Sequence, residues 1–237
     1  MRKLLPLAFV LSALTGAAHA TEARSVIELF TSQGCSSCPP ADKLLGELAR
    51  DSSVIALSFA VDYWDYIGWK DTLASPACTA RQKAYSAARG DGQVYTPQAV
   101  IDGLVHAVGS DSAEVRSAMQ SAAARPNVLN VKLNLTAANG NAHIDVPAGQ
   151  GSAGLWLLRV THSKQVAIGR GENAGATVTY TNVVRGITKI GDWTGEAKSF
   201  DVKEPLDKEA DGYVVLLQAA PGGRPGTIFG AVKSAGL

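Results

Sequence analysis

The sequence predicts an α/β domain followed by an all-β, sandwich-like domain. Strand-like and helix-like segments alternate between residues 25 and 125, whereas residues 127–237 hold short strand-like runs separated by turn residues. A chain of 237 residues is long enough for two domains. The boundary is predicted at Arg125-Pro126-Asn127, which gives domains of residues 21–126 and 127–237.

The first domain begins with a strand, a helix and a second strand. Residues 26–30 (VIELF) are rich in branched and aromatic side chains, which favours a strand. Residues 41–49 place three leucines on one helical face. Residues 54–61 (VIALSFAV) are almost continuously apolar, as expected for a strand that is covered on both faces.

A second helix, a hairpin and a third helix follow. Ser75-Pro76 is a helix cap followed by a proline at the first helical position. Asp102-Gly103 is a two-residue hairpin signal between strands at 98–101 and 104–108. The last helix is predicted from residue 111 or 112 to about 124, so the first domain has the order β-α-β-α-β-β-α.

Seven strand-like runs make up the second domain, and Gly-, Asn- and Pro-rich turns separate them. The runs are residues 128–136, 142–146, 155–161, 177–184, 199–202, 213–219 and 227–232. Many short strands at this spacing are typical of an antiparallel sandwich.

The first twenty residues have the pattern of a secretory signal peptide. Arg2 and Lys3 precede an apolar run at 4–18, and Ala18-His19-Ala20 is a small-residue cleavage site. The alternative, a transmembrane anchor, needs about 20 apolar residues, more than this run provides. We therefore expect a periplasmic or secreted protein with no membrane anchor after cleavage. Its nearly balanced charge, formally +1 for the whole chain, argues against a nucleic-acid partner.

The chemical centre of the sequence is Cys35-Ser36-Ser37-Cys38, which lies between the first strand and the first helix. A thiol near a helix N-terminus is favoured as the thiolate, the form that attacks disulfides. We expect Cys35 to be the exposed nucleophile and Cys38 the resolving thiol. A structural disulfide in a secreted protein is the main alternative, and a zinc site would need two further ligands that no spacing supplies.

These features resemble thioredoxin. The element order, the CxxC after the first strand and Thr96-Pro97 before the third strand carry this resemblance. It implies a cis Pro97 that faces the cysteines, and a Thr96 backbone that binds peptide substrates. It also implies that Glu28 could move a proton to or from a buried sulfur; the alternative is a structural carboxylate paired with a backbone group or an arginine.

A second and more specific resemblance is to a secreted bacterial family, domain of unknown function 1223 (DUF1223). The matching stretches are residues 28–42, 61–71, 81–85, 94–103 and 179–186. They cover nearly the whole mature chain. The family implies a thioredoxin-like domain with a β-rich extension, but no substrate.

Three further residues are candidates for the site. Tyr63 and Trp64 follow the second strand, where loops line the crevice of an α/β sheet, so they either bind a peptide or cover the core. Cys78 lies at the start of the second helix, where its pKa would be lowered. It is a third redox thiol, a half-buried small residue or an intermolecular disulfide partner.

The sequence therefore predicts an exported thiol–disulfide oxidoreductase. Its partners would be protein thiols or disulfides and a redox partner protein, and it would need no cofactor or metal. The alternative is a non-catalytic binding module, for a protein or for copper, in which the CxxC disulfide is structural.

Overall fold

The protein has a mixed α/β fold with one large sheet, one small sheet and few helices. A computed structural model describes residues 22–138, 140–203 and 209–237. The predicted signal peptide, residues 1–20, lies outside these ranges. Within them, no helix is long and apolar enough to cross a membrane.

The first half of the chain forms the predicted elements in the predicted order. They are β1 (Ser25–Thr31), α1 (Pro39–Leu48), β2 (Val54–Ala60), α2 (Pro76–Arg89), β3 (Gln98–Ile101), β4 (Val105–Val108) and α3 (Ser112–Ala123). The predicted caps form: the Ser75 hydroxyl accepts a hydrogen bond from the Ala77 amide, and Gly90 closes α2 in the left-handed conformation. Asp111 caps α3.

The described residues of the second half of the chain form seven strands. They are β5 (Asn134–Ala138), β6 (Asn141–Val146), β7 (Ala153–Ala167), β8 (Thr177–Trp193), β9 (Lys198–Lys203), β10 (Gly212–Gln218) and β11 (Ile228–Lys233). The run predicted at 128–136 is a strand only from Asn134. The others match, and β7 and β8 are longer than predicted because they continue to pair on both sides of two register shifts.

The second half is not a separate sandwich, and this part of the prediction is wrong. The large sheet has the order β11-β10-β7-β8-β2-β1-β3-β4, so it contains strands from both sides of residue 126. The physical reason is that the outer edge of β2 needs a partner, and β8 pairs with it in parallel at Ser58 and Val183. Among the described strands, β5, β6 and β9 form a second sheet.

The large sheet is strongly curled. Three strands separate β1 from β10 in the sheet, which would hold them about 19 Å apart if it were flat. Nevertheless Glu28 of β1 and Gln218 of β10 both bond the same arginine, Arg81 of α2. The Ile228 amide also donates to the carbonyl of Asp102, which joins β11 to the β3–β4 turn.

The curl encloses a core that the two halves share. Side chains from β1 and β2, such as Phe30 and Phe59, meet side chains from β7 and β10, such as Val160 and Leu216. Helix α2 packs on this inner face through Cys78 and Tyr85. On the outer face, α1 and α3 cover β1 and β3, and the small sheet covers β7 and β10.

The curled sheet brings the loop before β11 so close to Gly103 that a side chain would not fit there. A Cβ atom there would lie 2.1 Å from the carbonyl oxygen of Gly226, in the loop before β11. We expect Gly103→Ala to lower the free energy of unfolding by about 1–2 kcal/mol for its left-handed backbone and by about 1–3 kcal/mol more for the collision. Urea unfolding measures the total.

The matched control is Gly90→Ala, because Gly90 has the same φ of 74° as Gly103 and no atom within 4 Å of the added Cβ. This variant should lose only the backbone contribution. Equal losses in the two variants would contradict the closure of the sheet at Gly226.

Candidate functional site

The CxxC motif lies where the sequence predicts it, between the end of β1 and the start of α1. Cys35 and Cys38 form a disulfide, with their Cα atoms 5.4 Å apart. The Cys38 amide donates to the Cys35 carbonyl at 3.1 Å, which closes the turn between them. Helix α1 begins directly afterwards at Pro39, so both cysteines precede it. Because Pro39 and Pro40 have no N–H group, the helix N-terminus acts on Cys35 through its dipole rather than through these amides.

Both cysteines are buried, so the expectation of an exposed Cys35 is wrong. Cys35 is 1% exposed and Cys38 is 0% exposed. The Ser37 hydroxyl lies within hydrogen-bond distance of the Cys35 sulfur, at 3.4 Å. Two parts of the chain lie against the motif: a loop from the second half, and an aromatic segment after β2, residues 62–66 (DYWDY).

Residues 168–176, which connect β7 to β8, form a covering loop over the motif. The Asn173 side-chain amide donates to the carbonyls of Gln33 and Cys35, both at 2.9 Å. The Glu172 carboxylate accepts from the Ser36 amide at 3.2 Å. The covering loop therefore holds the backbone of the CxxC turn from a distance of about 140 residues in sequence.

The aromatic segment borders the motif on another side. The Trp64 indole donates to the Thr96 hydroxyl at 2.8 Å. A Cβ on Gly34 would lie 3.1 Å from the Trp64 Cβ, so Trp64 packs directly beside the residue before Cys35. The Thr96–Pro97 peptide bond is cis, as expected. Trp64, Thr96 and the cysteine turn are thus neighbours.

Tyr63 and Tyr66, both in the aromatic segment, differ in burial. Tyr63 is half-buried and packs on the shared core, and burial raises the pKa of its hydroxyl. Tyr66 is 81% exposed in the short 3₁₀ turn Asp65–Ile67. Sequence reasoning did not single out Tyr66, although it lies in the same DYWDY segment.

Glu28 was expected to be either a proton carrier or a structural carboxylate, and its contacts are those of a structural carboxylate. It is fully buried and accepts from Nε and Nη2 of Arg81 at 2.5 and 2.9 Å, and from the Tyr85 hydroxyl at 2.6 Å. These contacts occupy its oxygens on the α2 face of β1. Its expected role as a proton carrier therefore has no geometric support.

Asp42, in the first turn of α1, is the residue that sequence reasoning missed. It is 2% exposed, and among the described residues no side chain or amide forms a hydrogen bond with either carboxyl oxygen. Burial raises the pKa of Asp42 well above its usual range. The nearby Thr31 hydroxyl opposes this shift, and Asp71 adds to it.

Asp42 lies close to Cys38 along α1, and Asp71 and Tyr180 are electrostatic neighbours of its carboxyl group. Its amide donates to the Cys38 carbonyl at 3.0 Å, which places it one helical turn after Cys38. Side chains on a helix tilt toward the N-terminus, here toward Cys38. A usable signal was present in the sequence, since Asp42 precedes Leu45 by three residues on the apolar face of α1.

Cys78 is a buried free thiol with 1% exposure. Burial raises its pKa to about 12, and the opposing effect of Arg81 is smaller. The expectation that the start of α2 lowers this pKa is wrong, because desolvation outweighs the helix dipole. Of the three alternatives, a small residue within the core fits best, although the burial is complete rather than partial.

No group of three or more His, Cys, Asp or Glu side chains in the described part of the chain is arranged to hold a metal ion.

Comparisons with known proteins place the chain by sequence and by fold. The family model described as "Protein of unknown function (DUF1223)" matches residues 26–218. The crystal structure of protein AGR_C_4864 from Agrobacterium tumefaciens is similar, with 34% identity, a TM-score of 0.81 and coverage of 92% of this chain and 96% of that chain. HBP35 of Porphyromonas gingivalis shares the fold at 13% identity and a TM-score of 0.61, over 90% of this chain and 75% of that chain. No curated protein matches.

The buried acid should make stability depend on pH. Because burial raises the pKa of Asp42 in the folded state, ionisation favours the unfolded chain as pH rises above the ordinary aspartate value. Asp42→Asn cannot ionise and so removes this effect, and we expect it to raise the free energy of unfolding at pH 7 by about 1.4 kcal/mol for each unit by which the pKa in the folded state exceeds that in the unfolded chain. The gain should vanish near pH 4 and below. Denaturant unfolding across pH measures it.

The control, Asp91→Asn, should show the opposite sign. The hydrogen bond from Arg89 is the main reason that the pKa of the exposed Asp91 is lowered to about 2. This variant should lose stability at pH 7, and the loss should shrink as pH falls toward 2. A gain for Asp42→Asn that is the same at pH 4 and pH 7 would contradict a buried, protonated Asp42.

Proposed function

Because the chain belongs to the DUF1223 family, whose description assigns no activity, we propose a function from the site itself: reversible thiol–disulfide exchange at Cys35 and Cys38. The observation that supports it best is the combination of the disulfide with Asp42, a buried acid without a partner one helical turn away. Perturbed acids of this kind cluster at functional sites. The disulfide also spans only three positions in sequence, so it constrains the unfolded chain little.

The exchange can be written with atoms and electrons in balance. A substrate thiolate attacks the Cys35 sulfur, the Cys35–Cys38 bond breaks, and Cys38 leaves as a thiolate that takes up a proton. A second substrate thiolate then attacks the mixed disulfide and releases Cys35, which is protonated in turn. Two electrons and two protons pass from the substrate dithiol to the protein, and the reverse sequence oxidises the protein again.

Asp42 supplies the proton that Cys38 needs. A thiolate on the fully buried Cys38 would be poorly solvated, so its release is favoured when a proton is delivered at the same time. The raised pKa of Asp42 means that its carboxyl group can still hold a proton where an exposed aspartate has lost it. In the reverse direction the carboxylate accepts the proton from Cys38.

The surroundings of the motif suggest a protein substrate. Tyr66 is exposed two residues after Trp64, whose indole bonds Thr96, so an extended peptide could pack on the aromatic segment once the covering loop moves aside. The proposal extends to a thioredoxin-like first half with the order β-α-β-α-β-β-α, and to export directed by residues 1–20, in an oxidising compartment where a redox partner protein resets the cysteines.

A second candidate is a binding module with a structural disulfide. The burial of both cysteines favours it, since neither sulfur is accessible while the covering loop is closed. The two candidates differ in one property. A functional disulfide opens and closes in the folded protein, whereas a structural one resists reduction until the chain unfolds.

Trapping of a mixed disulfide tests the exchange reaction. Cys38→Ser, incubated with oxidised glutathione, should accumulate a glutathione adduct on Cys35, because no second thiol can resolve it. Cys35→Ser should form little adduct, since Cys38 is fully buried and directly precedes α1 as the expected resolving thiol. Mass spectrometry of the intact protein and of its peptides locates the adduct.

The reduced wild type is the reference, and it should return to the internal disulfide without retaining glutathione. An adduct on Cys35→Ser but not on Cys38→Ser would reverse the two roles. Failure of both variants to react, with the folded wild-type disulfide resistant to reduction, would favour the binding module.

Release of the covering loop should speed reduction. Asn173→Ala removes two hydrogen bonds to the CxxC turn, and at about 0.5–1.5 kcal/mol each this should accelerate disulfide reduction by dithiothreitol about tenfold. Quenched labelling of the new thiols gives the rate.

Arg170→Ala is the matched control, because Arg170 is an exposed residue of the same loop for which the described residues provide no hydrogen bond. Its reduction rate should equal that of the wild type. Unchanged rates in both variants would mean that the covering loop does not control access to the disulfide.

A further inference from the structure

A cavity of about 350 Å³ lies between α2 and the strands β7, β8 and β10. Its volume falls in the range of about 300–1,000 Å³ that is typical of small-molecule sites. None of the residues that line it belongs to the CxxC turn or to the covering loop. It is therefore separate from the proposed exchange site.

Small side chains on one face of α2 leave this space open. Ala77, Ala80 and Ala84 follow the helical repeat, and they face Trp156 and Ile187 across the cavity. Trp156 and Ile187 are only partly buried, although both pack against the shared core. The walls are thus mainly apolar, as in most sites for small organic ligands.

Arg81 provides a polar contact within these walls. Its side chain is 8% exposed, and it lines the cavity together with Gln218. Nε and Nη2 bond Glu28, and Nη2 also bonds Tyr85 and Gln218. Among the described residues no atom accepts a hydrogen bond from Nη1, which projects from the side of the guanidinium opposite Glu28.

The charge of Arg81 is already balanced. Glu28 forms a two-point ion pair with it, and Tyr85 donates to the same carboxylate. An anionic ligand would therefore add a buried charge without a compensating cation, which is costly. An uncharged acceptor such as a carbonyl oxygen would satisfy Nη1 without this cost.

We propose that the cavity is a binding site for a small uncharged molecule that has an apolar ring or chain and one hydrogen-bond acceptor. The apolar part packs between the α2 alanines and Trp156, and the acceptor bonds Nη1 of Arg81. The site goes beyond thiol–disulfide exchange and requires neither cysteine.

Three probes of nearly equal shape separate the effects of the apolar ring, the hydrogen-bond acceptor and a negative charge on binding. Acetophenone has an aromatic ring and a carbonyl, α-methylstyrene replaces the carbonyl oxygen by a methylene group, and benzoate carries a charge. In titrations followed by ¹H–¹⁵N spectra, acetophenone should shift the amide signals of Ala77, Ala80 and Ala84. Its affinity should exceed that of α-methylstyrene about tenfold, the effect of one hydrogen bond to a charged donor, and benzoate should bind more weakly than either.

Two variants fill the cavity while they keep the helix. Ala84→Leu and, as a second choice, Ala80→Leu should abolish binding while the rest of the spectrum stays that of the folded wild type. The Cys35→Ser variant should bind acetophenone as the wild type does, which separates this site from the exchange site. Absence of shifts at the three alanines, equal affinity for α-methylstyrene, or preference for benzoate would overturn the proposal.

Discussion

The buried ion pair of Glu28 and Arg81 is the interaction on which the shape of the molecule depends. Arg81 joins β1 to α2, and through Gln218 it also joins them to β10, a strand from the other half of the chain. Removal of one partner from such a buried pair costs about 3–5 kcal/mol, because the other charge is left without compensation. The pair thus holds the large sheet in its curled form, with α2 on the inner face and a cavity beside it.

The curl has a consequence for the disulfide. Because β8 pairs with β2, the connection between β7 and β8 lies over the end of β1, where the cysteines are. The covering loop can therefore contact the CxxC turn through Asn173 and Glu172. A segment of the second half thereby lies against a site that is built from the first half, and in the proposed exchange reaction it would control access to the disulfide.

The sequence predicts local structure well and long-range arrangement poorly, for physical reasons. Caps such as Ser75 and turns such as Asp102-Gly103 act through neighbouring residues, so the elements of the first half were predictable in kind and order. The pairing of β2 with β8 depends on residues about 125 positions apart, and no local pattern encodes it.

For the same reason the CxxC could be found by its spacing, whereas the burial of Cys35 could not, since it depends on Asn173. The helical periodicity of α1 could have placed Asp42 on the buried face, but a carboxylate at the start of a helix is usually a solvent-exposed charge.

The reduction potential of the Cys35–Cys38 pair is the most direct test of the account. Equilibration of the folded protein with glutathione buffers of graded ratio, followed by quantification of the two thiols, gives this value. A protein that exchanges disulfides should have a potential between about −270 and −120 mV, the range of known exchange proteins. A potential below about −300 mV, as in structural disulfides of secreted proteins, would contradict the proposed exchange reaction and favour the binding module.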